Sequence, residues 1–65
     1  MMPEWKIKIQ AIYLNSRQYM KNTEGDWEKV FAQFRKVLKE YDNDPSVMDL
    51  AQEMIIRLEN FMRTK

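Results

Sequence analysis

Thr23-Glu-Gly-Asp-Trp-Glu-Lys-Val-Phe-Ala-Gln-Phe-Arg-Lys-Val-Leu-Lys-Glu-Tyr41 reads as a helix with its own start signal attached. Thr23 can serve as N-cap, with Asp26 three residues later in a variant of the capping box. Glu24 and Asp26 set negative charge at the positive end of the helix dipole. Trp27, Val30, Phe31, Phe34, Val37, Leu38 and Tyr41 then recur at helical spacing and build one continuous apolar face. Glu28, Lys29, Arg35, Lys36 and Lys39 occupy the other side, and Lys36 and Glu40 stand at an i, i+4 spacing that suits an ion pair.

Downstream, Asp42-Asn-Asp-Pro45 stops this helix. Proline disfavours helical backbone in the residue before it, and Asn and Asp tolerate turns. The next helix can begin at once, with Asp44 as cap and Pro45 in its first turn. Ser46 and Asp49 offer a competing capping box one register later. Val47, Leu50, Ala51, Met54, Ile55, Leu58, Phe61 and Met62 form its stripe, and Glu53 and Arg57 make an i, i+4 pair in the favourable order. Two amphipathic helices on a short connection make an antiparallel hairpin.

Upstream, two readings stand open for residues 5–11. Trp5, Ile7, Ile9 and Ala11 alternate with Lys6, Lys8 and Gln10, as in a half-buried strand. A lone strand in a helical chain has no pairing partner, however, and Pro3 suits a first helical turn, so helix is preferred. As a helix, it groups Trp5, Ile9, Ile12, Tyr13, Tyr19 and Met20 on one side and Ile7, Ala11 and Leu14 on the other. A helix apolar on two sides is normally covered on two sides. The hairpin can cover only one, so Ile7, Ala11 and Leu14, together with Ile56 of the third segment, are candidate interface residues. The expected fold is all-α: a small three-helix bundle built on the hairpin, one domain over residues 1–65. Its helices fall at about 4–20, 24–41 and 46–63.

Composition narrows the function. At this size a chain buries only roughly 60% of its unfolded surface. With no cysteine and no histidine, disulfides, zinc sites and histidine-dependent catalysis are excluded. Asp26/Glu28 and Asp42/Asp44 are the paired carboxylates, but they sit where helix caps and turns need acids. Gly25 is the only glycine, so no phosphate loop exists. The chain therefore reads as a non-enzyme without cofactor or metal. Eleven basic against ten acidic residues leave no basic stripe beyond Lys29, Arg35, Lys36 and Lys39, which argues against nucleic acid as a partner. No apolar run approaches the ~20 residues of a membrane span, and no signal peptide is visible. A cytoplasmic protein is expected.

The aromatic residues, 12% of the chain, and six methionines supply large, adaptable apolar surface. At helical spacing in a small domain they read first as core. The set Tyr19-x-x-x-Thr23-x-x-Asp26-Trp27, then Asp44-Pro45-Ser46, Val47-x-x-Leu50-Ala51 and Leu58-x-x-Phe61 also resembles the TipAS-type antibiotic-recognition domain, the effector half of some MerR-family transcription regulators. The resemblance covers residues 15 to 62. It implies an all-helical sensor that encloses a bulky hydrophobic small molecule without chemistry, with Tyr19, Trp27, Phe31 and Phe34 on the ligand side. The chain carries neither the winged helix nor the long coiled coil of such regulators and is shorter than their usual effector domain. The second expectation, from the residues alone, is a helical interaction or homodimerisation module whose partner is itself or another helical protein, bound through Ile7, Ala11 and Leu14.

Overall fold

In the computed structural model, which describes residues 2–22 and 25–64, the chain forms three helices: α1, Glu4–Asn22; α2, Trp27–Glu40; and α3, Pro45–Arg63. They make an all-α three-helix bundle. α2 runs antiparallel to α1, and α3 runs parallel to it, so the chain goes up, down and up. The long axis of the bundle, 31 Å, is about the length of a single 19-residue helix at 1.5 Å per residue. The strand alternative for residues 5–11 falls, because those residues lie within α1.

The start of α2 differs from the expected one. The helix begins at Trp27, and its N-cap is Asp26, whose carboxylate accepts a hydrogen bond from Glu28 N at 2.9 Å. Asp26 has extended backbone and its carbonyl accepts from Lys29 N and Val30 N, as a cap residue should. Thr23, the expected cap, lies outside the described residues. Gly25, just before the cap, is packed closely against the end of α1. A side chain there would collide with Met20 Sδ and, at 2.7 Å, with the Tyr19 ring. The Tyr19 hydroxyl in turn accepts from Asp26 N at 3.0 Å, which ties the end of α1 to the start of α2.

Between α2 and α3 the chain turns through two residues of left-handed backbone, Asp42 (φ 54°) and Asn43 (φ 56°). Asn43 N donates to Leu38 O at 2.8 Å and Asp42 N to Lys39 O at 3.2 Å. That pair of bonds is a Schellman cap, which satisfies carbonyls left over at the end of α2. Asp44 then caps α3 by accepting from Ser46 N at 2.8 Å, with Pro45 in the first turn. The earlier of the two possible α3 boxes is the one used.

The core is made by Ile9 and Met20 of α1, by Val30, Phe34 and Val37 of α2, and by Val47, Ala51, Met54 and Leu58 of α3. Every member of the apolar stripes expected for α2 and α3 except Phe31 is buried or packed against this cluster. The hairpin is not the hub of the bundle, though. α1 approaches both other helices more extensively than they approach each other, and α3 most of all. One core residue is polar. Ser16 lies seven residues after Ile9 and four before Met20, on the inward stripe of α1, and is only 2% exposed. Among the described residues its hydroxyl has no hydrogen-bond partner.

Candidate interaction face on the first helix

The inward stripe of α1 is centred on Ile9, Ser16 and Met20. At about 100° per residue, Ile7, Ala11 and Leu14 fall roughly 140–160° away from it, on the far side of the helix. The structure places them there. Ile7 is 55% exposed and Leu14 57%, and Ala11 between them is exposed as well. Successive spacings of four and three residues keep all three on one line along the helix.

Two surface hollows flank this line. On the α2 side, one of about 370 Å³ is lined by Lys8, Ala11, Ile12, Gln33, Lys36, Val37 and Glu40. At its edge Lys8 Nζ donates to Glu40 Oε1 at 2.7 Å and lies 5.7 Å from the centre of the Tyr41 ring. The hydrogen bond to Glu40 holds the Lys8 ammonium above the ordinary lysine pKa. Glu40 therefore pairs across the bundle with Lys8 and not with Lys36, its expected partner. A bond across 32 residues of sequence leaves no local pattern to read. The Glu53–Arg57 pair does form, at 3.0 Å.

On the α3 side, a hollow of about 420 Å³ is lined by Leu14, Asn15, Arg17, Gln18, Lys21 and Phe61. The Arg17 guanidinium stacks 4.3 Å from the centre of the Phe61 ring. Both hollows open to solvent and neither could enclose a bulky ligand as a binding cavity does. A third hollow, between Trp5, Lys6 and the start of α3, lies on the inward half of α1 and is separate from the outer face.

Ile56 does not join this face. It is 53% exposed, but it stands half a turn from the Val47/Met54/Leu58 stripe, on the outside of α3. Among the described residues, none of the three hollows is lined by Tyr19, Trp27, Phe31 or Phe34. Phe34 is 1% exposed at the centre of the core. Trp27 and Phe31 pack on each other, with ring centres 5.7 Å apart. Tyr19 is engaged at the α1–α2 junction. Lys29, Arg35, Lys36 and Lys39 are exposed along α2, with Glu28 among them. Sequence reasoning missed Ser16, although its spacing from Ile9, Ile12 and Met20 places it on their face.

Among the described residues no helix is long and apolar enough to cross a membrane, and no three acidic, histidine or cysteine side chains cluster to hold a metal ion. Comparison with family models, with characterised proteins and with solved structures finds no match. The likeness to the TipAS-type domain thus rests on its motif residues alone.

Proposed function

We propose that this protein is a non-catalytic helical interaction module that docks a partner helix on the outer face of α1. One observation carries the reading. Ile7 and Leu14, two large aliphatic side chains, stand more than half exposed on either side of Ala11, opposite the core and in line. A single exposed aliphatic residue is ordinary, but an aligned set with a small residue at its centre has the form of a helix-docking stripe. The flanking hollows give side chains from such a helix somewhere to go.

The test uses a synthetic amphipathic helix with leucines at the same four-three spacing, titrated into isotope-labelled protein. Amide shifts confined to the outer face of α1, and lost in Leu14→Glu, are the expected result. Shifts that centre elsewhere, or no shifts at all, would sink the proposal. A large drop in unfolding midpoint for Ile7→Ser or Leu14→Ser would sink it too, because the face would then belong to the core.

The small-molecule reading implied by the effector-domain resemblance has the motif as its support. Enclosure by Tyr19, Trp27, Phe31 and Phe34 would require Phe34 to leave the core. Saturable quenching of Trp27 fluorescence by a hydrophobic antibiotic is the measurement that would favour it.

A further inference from the structure

We infer that the partner of the α1 face is α1 of a second copy of this chain, laid antiparallel across it. This assignment rests on the docking role proposed above and names its occupant. The line through Ile7, Ala11 and Leu14 extends at the same spacing to Glu4 at one end and to Gln18 and Lys21 at the other. These six positions alternate by three and four residues, as the facing positions of paired helices do.

In antiparallel pairing, the layers are Glu4 on Lys21, Ile7 on Gln18 and Ala11 on Leu14, each occurring twice by the two-fold axis. Two of these layers join complements. The small Ala11 faces the large Leu14, and because Ala11 borders the α1–α2 hollow, Leu14 of the second copy has space to enter. The carboxylate of Glu4, 76% exposed and 3.6 Å from Lys8 of its own helix, meets the ammonium of Lys21 from the other copy. The two helix dipoles oppose each other as well. Parallel pairing would instead set Glu4 on Glu4 and Lys21 on Lys21, with the dipoles aligned. Charge thus favours the antiparallel orientation.

Sedimentation equilibrium from micromolar to millimolar chain tests the pairing. Mass should rise from the 8.0 kDa of one chain toward twice that value. Leu14→Glu should hold the protein monomeric throughout. Glu4→Lys and Lys21→Glu should each weaken the dimer about fivefold, and the double variant should restore it, since each exchange reverses two pairs. Orientation is read separately from nitroxide labels on Asn22→Cys, which introduces the chain's only cysteine. Labels about 28 Å apart along the helix axis fit the antiparallel dimer, and about 10 Å fits a parallel one.

A dimer indifferent to Leu14→Glu, a short label distance, or charge variants that fail to rescue one another would each overturn the inference. So would a chain that stays monomeric at millimolar concentration. If that monomer still shifts its outer-face amides with the leucine peptide, docking survives and the face is reserved for a foreign helix. If neither assay responds, both proposals fail together.

Discussion

Replacing Ser16 with alanine should make this protein more stable, against the usual direction of core substitutions. Ser16 is 2% exposed, and among the described residues its hydroxyl has no hydrogen-bond partner. A buried polar group without a partner costs about 1–3 kcal/mol, and we take about 1 kcal/mol because a serine hydroxyl can rotate toward its own helix. Alanine is also the better helix former, by about 0.5 kcal/mol. Against these, the lost oxygen leaves a void of roughly 10–15 Å³, which costs about 0.3 kcal/mol at the usual cavity coefficient. The net gain is about 1 kcal/mol. In a domain of this size that raises the melting midpoint by roughly 4–8 °C. It is also a sizeable share of the roughly 3–10 kcal/mol expected for such a chain.

Urea denaturation of Ser16→Ala, followed by circular dichroism and by tryptophan fluorescence, gives the number directly. An unchanged slope with a higher midpoint is the expected result. A lower midpoint would refute the reasoning, since it would mean that the hydroxyl makes a bond worth more than its burial costs. Ser16→Leu supplies the control. It should lose about 1–3 kcal/mol by overpacking, which shows that the site is closed on all sides.

Gly25→Ala should destabilise by about 1–2 kcal/mol, because the new methyl collides with the Tyr19 ring and Met20; the same urea titration measures it, and a neutral result would mean the α1–α2 junction is loose. Asp42→Gly should stabilise by about 0.5–1 kcal/mol, because glycine adopts the left-handed backbone of the Schellman cap without strain. A thermal melt decides that case, and a fall in midpoint would point to a side-chain role for Asp42. For Lys8, the folded-state pKa lies above the unfolded one, so its stabilising effect is complete below the ordinary lysine pKa. The effect is lost as pH climbs through the raised folded value. Stability should therefore decline in strongly alkaline solution, and Lys8→Met should remove that part of the slope; an identical alkaline profile in the variant would rule the pair out as its cause.

Which parts of this molecule can be read from its residues follows from the range of the interactions involved. The stripes on α2 and α3 and the Asp44-Pro45 start are local patterns, and periodicity exposes them. Thr23 and Asp26 read as the two ends of one capping box, whereas the cap of α2 is Asp26 itself. The Tyr19 hydroxyl that meets Asp26 N is a side-chain contact across the α1–α2 junction, which helical periodicity does not reveal. The Lys8–Glu40 bond and the pre-eminence of α1 are hidden because they join residues far apart in the chain. Of the candidate site, the second apolar side of α1 was legible because amphipathicity is periodic. Ile56 looked like part of it only because exposure, unlike adjacency, can be guessed one helix at a time.

That α1 leans chiefly on α3 also bears on how the chain is made. The ribosome delivers α1 first and its main support last, with α2 and the turn at Asp42 and Asn43 in between. Until α3 emerges, Ile9 and Met20 have only α2 to shelter them, so a nascent chain halted at the turn holds a half-covered core. A small helical bundle folds quickly once its segments are available, so the delay lies in synthesis rather than in the closing of contacts. A premature stop before Leu58 would then leave Ile9 and Met20 without part of their cover.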